Sequence, residues 1–341
     1  MSWLPDATLA HLRDVGEWPD LSGTRYEVVR EIGRGGMGVV YEARDRVLER
    51  DVAIKVLSRA GPTGAALPDR LRDEGRILAT LEHPGIVPVH DLGVLPDGRV
   101  FSVMKLVRGR RLDEASRDGG LTGSLSLFER VCHAVAFAHS RGIVHRDLKP
   151  ENVMIGAFGE VLVLDWGVAK LLGDESGAAS VGAGEGRHGR PAAGDTEPGT
   201  VMGTPGYMAP EQARGDSHQV DERTDVFALG GILQFLLTGC RPSEAEPTGG
   251  SEGWDARPRG LPPALLAVCR KARAERPADR YASADRLADE IRRFLNELPV
   301  TAHSESVAER AGRFVRRHRL PIGLIAAYLA MRLALIWLGG S

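Results

Sequence analysis

The run His145-Arg146-Asp147-Leu148-Lys149-Pro150-Glu151-Asn152 gathers a carboxylate, an ammonium and a carboxamide into one short stretch. Those groups suit phosphoryl transfer. Asp147 would orient a hydroxyl and accept its proton, Lys149 would neutralise the moving phosphoryl oxygens, and Asn152 would hold a metal ion. Taken alone, the octet is also readable as a polar surface turn. Three other stretches bear on the choice. Gly33-Arg34-Gly35-Gly36-Met37-Gly38 spaces its glycines as G-x-G-x-x-G, and such bare backbone lets N–H groups approach phosphate oxygens. Dinucleotide folds carry the same spacing, but there the glycines open a helix, whereas here Val39-Val40-Tyr41 continues as a strand. A merely flexible hairpin is the alternative. Lys55 sits inside the apolar run Val52-Ala53-Ile54-Lys55-Val56-Leu57, where an unpaired ammonium is costly. Its expected partner is Glu74, which would leave the ammonium poised over α- and β-phosphates; otherwise Glu74 is a solvated helix charge beside Arg72 and Asp73. Asp165, in Asp165-Trp166-Gly167 at a strand end, is placed to bind Mg²⁺ that bridges phosphates.

The elements that must position these groups follow from periodicity. Alternating β-branched and aromatic runs at 26–32, 39–43 and 51–57 predict three antiparallel strands, and runs at 86–89 and 99–104 complete a sheet of five. A helix is expected over roughly 68–81, ended by His83-Pro84. Residues 105–109 read as a connector whose backbone is free to bond an adenine. Ser126 to Ser140 predicts a helix opened by a capping box of Ser126 and Glu129. A strand pair at 153–155 and 161–164 leads to Asp165. Residues 172–200 are glycine-rich and read as a long loop. Residues 225–237 are apolar on nearly every side, which describes a helix inside a lobe. Helical pattern returns at 263–274 and 283–295, and the stretch 241–262 between has none.

Composition narrows the class. With 341 residues, 43% hydrophobic and 26% charged, the chain is globular, and 44 basic against 46 acidic side chains leave no global field that draws nucleic acid. Cys132, Cys240 and Cys269 are far apart and in no metal spacing, as expected of free thiols in a reducing compartment. Residues 1–20 have no apolar core suited to a secretory signal.

In this order and spacing the motifs resemble the eukaryotic-type protein kinase family, in its bacterial transmembrane serine/threonine branch, over 24–298. The match runs through Gly33, Gly35 and Gly38, Lys55, Glu74, His145-Arg146-Asp147, Asn152, Asp165-Trp166-Gly167 and Ala209-Pro210-Glu211. The resemblance implies an α+β, bilobal fold: a five-stranded antiparallel N-lobe sheet with one main helix over 24–104, and a mostly helical C-lobe over 109–298. It implies ATP and Mg²⁺, with Mn²⁺ as a substitute, and protein substrates with Ser or Thr acceptors, the latter because Lys149 is of the serine/threonine type. Nucleotide contacts would come from Ile32, Gly33, Arg34, Gly35, Gly36, Met37, Gly38, Val40, Ala53, Lys55, Lys105 and Val107. Lys105 stands where the connector often has Glu, and Trp166 where Phe is usual. Glu211 would pair with Arg280, Asp225 would anchor the catalytic-loop backbone and Thr204 would line the acceptor's site. Arg146, with Lys170, would form a basic pocket for a phosphorylated Thr196 or Thr200, placed there by autophosphorylation, in trans within a homodimer. The stretch 241–262 departs from the family pattern, which bears on substrate docking. A pseudokinase scaffold and a small-molecule kinase are the rival readings.

Beyond a 1–23 extension and a basic linker at 299–319, the apolar run 320–338 is expected to span a bacterial cytoplasmic membrane once, leaving the kinase domain in the cytoplasm. Nineteen residues at 1.5 Å each make about 28 Å, near the hydrocarbon thickness, and Arg313, Arg316, Arg317 and Arg319 would stay inside. Arg332 opposes this at roughly 2.5 to 3.5 kcal/mol. The alternative is an interfacial or partner-binding helix.

Overall fold

The structure, a computed structural model, describes residues 18–35, 38–57, 78–115, 120–166, 206–216, 220–242, 261–317 and 319–339, without side chains at 315–317, 319, 326 and 333–339. Five antiparallel strands form the first lobe in the order β1-β2-β3-β5-β4: β1 (Tyr26–Gly35), β2 (Gly38–Asp45), β3 (Arg50–Leu57), β4 (Val89–Val94) and β5 (Val100–Lys105). Period-two alternation gives this sheet two apolar faces. Tyr41, Ile54, Val56 and Val103 pack outward under Leu21 and Tyr26, while Ala53 and Met104 pack inward with Val87. Val40 lies directly across from Lys55, so the lysine shares the inward face with Ala53 and Val40.

The fourth strand begins at Val89, three residues later than the apolar run suggested. Pro88 has no N–H to give a ladder, and Ile86 instead makes a parallel bridge with Val163 of the other sheet. That second sheet, β6-β7-β8, joins β6 (Gly109–Arg111), β7 (Val153–Gly156) and β8 (Val161–Val163). The connector is thus shorter than expected, because Gly109 already pairs with Gly156. The helix expected at 68–81 falls almost wholly outside the described residues.

The second lobe is built on α2 (Gly120–Ser140) and α4 (Glu222–Thr238), with the short α1 (Leu112–Ala115) and α3 (Pro210–Ala213), then α5 (Pro263–Ala272) and α6 (Ala284–Leu295). Its core joins Leu125, Phe128, Val131 and Val135 of α2 to Leu229, Ile232 and Leu233 of α4 and to Leu287 and Ile291 of α6. Two sequence expectations change here. α2 starts six residues before Ser126, so Ser126 and Glu129 lie inside the helix and make no capping box. Burial of Ser124 and Leu125 overrides the poor helix propensity of Gly120 and Gly123. As expected, α4 is buried nearly all round; Asp221 caps its start by accepting from the Arg223 N–H, and Gly239 ends it at φ 71°.

Packing continues past α6, where buried Glu290 accepts from the backbone N–H of Thr301 at 2.7 Å and from its hydroxyl. Two helices follow, α7 (Val307–Arg317) and α8 (Arg319–Gly339). Among the described residues no helix is long and apolar enough to cross a membrane, so the span expected at 320–338 is not shown. Arg332 sets a guanidinium within that stretch, and side chains from 333 onward are not described.

Candidate active site

The loop that follows α2 hangs on one buried carboxylate. Asp225, in the first turn of α4, accepts from the backbone N–H of His145 at 2.7 Å and of Arg146 at 2.9 Å, and bonds the His139 ring at 2.8 Å. Burial alone would raise this carboxyl, but the His139 hydrogen bond and the neighbouring imidazoles and N–H groups outweigh it and hold it below its ordinary value. Arg146 sits at φ 66°, a conformation that costs a non-glycine residue about 1 to 3 kcal/mol. The Asp225 bonds and a donation from Gln212 Nε2 to the Arg146 carbonyl at 2.9 Å hold it there.

His145 is buried, and burial pushes its imidazole below the ordinary value. One neutral tautomer satisfies both ring nitrogens: Nε2–H donates to the Leu164 carbonyl at 2.8 Å, and Nδ1 accepts from the Asp147 N–H at 3.3 Å. The ring also lies 4.8 Å from that of Trp166. Trp166 needs a polar partner that a phenylalanine would not, and its Nε1–H donates to the Val163 carbonyl at 3.2 Å.

With its backbone so fixed, the loop presents its charged groups together. Lys149 Nζ lies 3.1 Å from Asp147 Oδ2, and Asn152 Nδ2 donates to the Asp147 carbonyl at 2.8 Å and to its Oδ2 at 3.3 Å. Buried Leu148 anchors the stretch in the core between them. The Leu164 N–H donates to the Asn152 carbonyl at 2.8 Å, which brings Asp165 alongside. Asp165 stands at φ 59° and places Oδ2 2.8 Å from Lys55 Nζ. Lys55 does have an acidic partner, as an apolar strand requires; the expected one, Glu74, lies outside the described residues.

Above this cluster, Ala53, Val87 and Met104 form an apolar patch joined by Val40, Leu106, Val107 and Leu164. This patch lies between the sheet and the strand that leads to Asp165, on the face that Lys55 shares. Ile32 is partly exposed beside the glycine turn, Arg34 is paired with Glu31 at 2.7 Å, and nothing lies within 4 Å of a Cβ built on Gly33 or Gly35. Gly38 is different: at φ 151°, its Cβ would stand 2.2 Å from the Val56 carbonyl oxygen. Gly36 and Met37 lie outside the described residues. The Lys105 N–H is already given to the Pro88 carbonyl at 3.2 Å.

A divalent cation fits the donor set. No group of three or more His, Cys, Asp or Glu among the described residues is disposed to hold a metal by itself. Asn152 and Asp165 offer two oxygen donors, and Mg²⁺ takes one or two protein oxygens while phosphates and water complete its shell. Asn152 turns its amide nitrogen to Asp147, leaving its carbonyl oxygen for a cation. Further off, Glu211 and Arg280, both buried, pair at 2.7 and 2.8 Å. Lys170, Thr196, Thr200 and Thr204 lie outside the described residues.

Sequence reasoning missed His139, Gln212, Val87, Met104 and Leu164. Each is an ordinary residue type whose role comes from a partner distant in sequence; the apolar runs holding Val87, Met104 and Leu164 signalled strands but no site, and His139 and Gln212 gave no signal.

The model of the "Protein kinase domain" family matches residues 26–298. The serine/threonine-protein kinase PknD of Chlamydia trachomatis serovar D is 35% identical over 306 residues, covering 81% of this chain and 32% of that protein. PknH of Mycobacterium bovis is 34% identical, covering 84% of this chain and 46% of its own length. The chain therefore spans less than half the length of these curated relatives. A crystal structure of the Mycobacterium tuberculosis PknI kinase domain superposes with a TM-score of 0.59 at 29% identity, over 79% of this chain and 95% of that one. With the loop around Asp147, the Lys55–Asp165 pair and the bilobal sheet-and-helix architecture all carried by the matched stretch, the chain belongs to the protein kinase family.

Proposed function

We propose that this protein transfers the γ-phosphoryl group of ATP to serine or threonine hydroxyls of other proteins. The observation that carries the reading is the assembly of Asp147, Lys149 and Asn152 on one fixed loop beside the Lys55–Asp165 pair. Adenine enters the apolar slot of Val40, Ala53 and Met104, and the connector backbone at Lys105 to Val107 borders it. Gly33, Gly35 and Gly38 cover the phosphates, and Lys55 holds their charge. Asp147 orients the acceptor hydroxyl and takes its proton, while Lys149 offsets charge developing on the transferred group. Asn152 and Asp165 would hold Mg²⁺, or Mn²⁺ in its place, which would supply neutralisation of phosphate charge. Supporting protein acceptors are the names of the curated relatives, which are serine/threonine-protein kinases.

The decisive test is phosphate incorporation from labelled ATP into an unfolded Ser- and Thr-rich protein, with Asp147→Asn as control. Wild type labels the protein on Ser and Thr. The variant loses at least 10²-fold in rate while still binding nucleotide. Nucleotide binding without transfer by wild type would favour the pseudokinase reading.

Two finer parts of the proposal concern control and place. Arg146 and Lys170 would receive phosphate on Thr196 or Thr200, added by a second copy of the chain. Attachment to a bacterial cytoplasmic membrane would run through α8, with the kinase lobes on the cytoplasmic side. Its support is that Leu320, Leu324, Ile325, Tyr328, Leu329 and Met331 are all exposed, an apolar surface that water alone would leave unfavourably wetted.

A further inference from the structure

Glu151 lies two residues beyond Lys149, in the turn Pro150–Asn152 that ends the loop of Asp147. Its carboxylate is paired with the guanidinium of Arg241, which stands just past the end of α4 and also reaches Asp113 Oδ2 of α1 at 3.5 Å. Burial is uneven across this group. The Glu151 and Asp113 side chains are 18% and 15% exposed, whereas that of Arg241 is 56% exposed. Two mostly buried carboxylates are therefore capped by a more exposed cation. One oxygen of each, Glu151 Oε2 and Asp113 Oδ1, is buried without a hydrogen-bond partner among the described residues. The hydroxyl of buried Tyr207, next to Gly206, also has none among the described residues. Arg111 Nε, at 3.5 Å, is the other cation near Asp113. The turn is built to keep this arrangement: Gly206, at φ 90°, packs so closely on Pro242 that a Cβ would lie 2.2 Å from its carbonyl oxygen.

We propose that Arg241 is a specificity-determining residue: it fills, as a built-in counter-ion, an acidic recess beside the catalytic loop that would otherwise take a basic side chain of the protein substrate. This rests on the protein-kinase reading above. An arginine or lysine near the acceptor finds Glu151 and Asp113 already neutralised. It must displace a group tethered at an effective concentration of about millimolar, and it meets the like charge of Arg241 as it does so. The enzyme consequently gains nothing from basic residues flanking the acceptor. With Arg241 removed, an incoming guanidinium would bring five donors to Glu151, whose Oε2 has no hydrogen-bond partner among the described residues, and to the Asp113 Oδ2 that Arg241 vacates, while Arg111 stays on Asp113 Oδ1.

The test uses the detergent-solubilised full chain and a serine peptide with alanine flanks, plus a series carrying one arginine at each flanking position. The measured quantity is kcat/KM for each arginine peptide divided by that for the parent, within one enzyme, so that loss of folded protein cancels. Wild type gives ratios at or below one. Arg241→Ala raises the ratio about tenfold at one or two positions, Arg241→Gln does the same, and Arg241→Lys stays like wild type. Wild type that already favours arginine, or ratios unchanged in both charge-removing variants, would overturn the inference. Failure of wild type to phosphorylate any peptide overturns the kinase reading instead, and the inference with it.

Discussion

Arg280 uses all five of its N–H donors. Two go to the oxygens of Glu211 at 2.7 and 2.8 Å, and three to the carbonyls of Ala274, Arg223 and Glu275. Its guanidinium also lies 4.9 Å over the Phe227 ring, and Thr224 donates to Glu211 at 3.0 Å. Burial would raise the Glu211 carboxyl, but Arg280, the backbone and Thr224 together hold it below its ordinary value. A carboxyl lowered by folding contributes stability that is complete above its unfolded value, about 4.3, and is lost as pH falls through the folded one. Arg280→Met strands that charge in the core, so urea unfolding at pH 7 should show a loss of roughly 3 to 5 kcal/mol. Repeating the measurement at pH 5 and 4 should show the gap to wild type shrinking as Glu211 takes up a proton; a gap constant with pH would contradict this account. Sequence could reach this pair only through the family resemblance, because the partners stand 69 residues apart and nothing local marks either. Asp147, Lys149 and Asn152, by contrast, were legible directly, since their spacing along six residues is itself the geometry.

Among the elements, the turn between β1 and β2 is where the proposed nucleotide binding is most open to test. Gly38 pairs with Leu57 across β2 and β3, and its backbone conformation leaves no room for a Cβ against Val56. Gly38→Ala must therefore lift the turn or break the first rung of that pairing. The expected outcome is a rise of at least tenfold in the KM for ATP, with far smaller change for Gly33→Ala, where space is open. Isothermal titration with a non-hydrolysable ATP analogue checks both. Strands were legible wherever alternation was long, as in β2 and β3. The start of β4 was not, because Ile86 and Val87 are β-branched for a different reason: they lie against Val163, in the second sheet. α2 was read too short because its first turn is glycine-rich, and only tertiary burial makes it helical. Arg241 and Gln212 carried no signal at all, since a surface-type side chain acquires its role only when folding brings the loop to it.

For the whole molecule, the distribution of charge bears on where it sits. The chain as a whole carries a formal charge of -2, yet α7 and its junction with α8 hold Arg310, Arg313, Arg316, Arg317 and Arg319 against the single acid Glu309. That segregation favours an anionic surface next to an apolar helix. In cells expressing the full chain, alkaline carbonate should leave the protein in the membrane pellet. Arg332→Glu should weaken retention, and release of wild type into the supernatant would refute attachment through α8.

The tether between Asp225 and the loop has a consequence in time. Its three bonds join residues 86, 80 and 79 positions apart, and the partners, His139 at the end of α2 and His145 and Arg146 of the loop, all come first in the chain. A ribosome therefore finishes Asp147, Lys149 and Asn152 long before it makes the residue that shapes them. Until α4 has emerged and docked, Arg146 lacks the Asp225 bond that helps hold it at φ 66°, and only the later-made Gln212 of α3 precedes that anchor. The loop's geometry is thus a property of the folded lobe and not of the stretch that carries it.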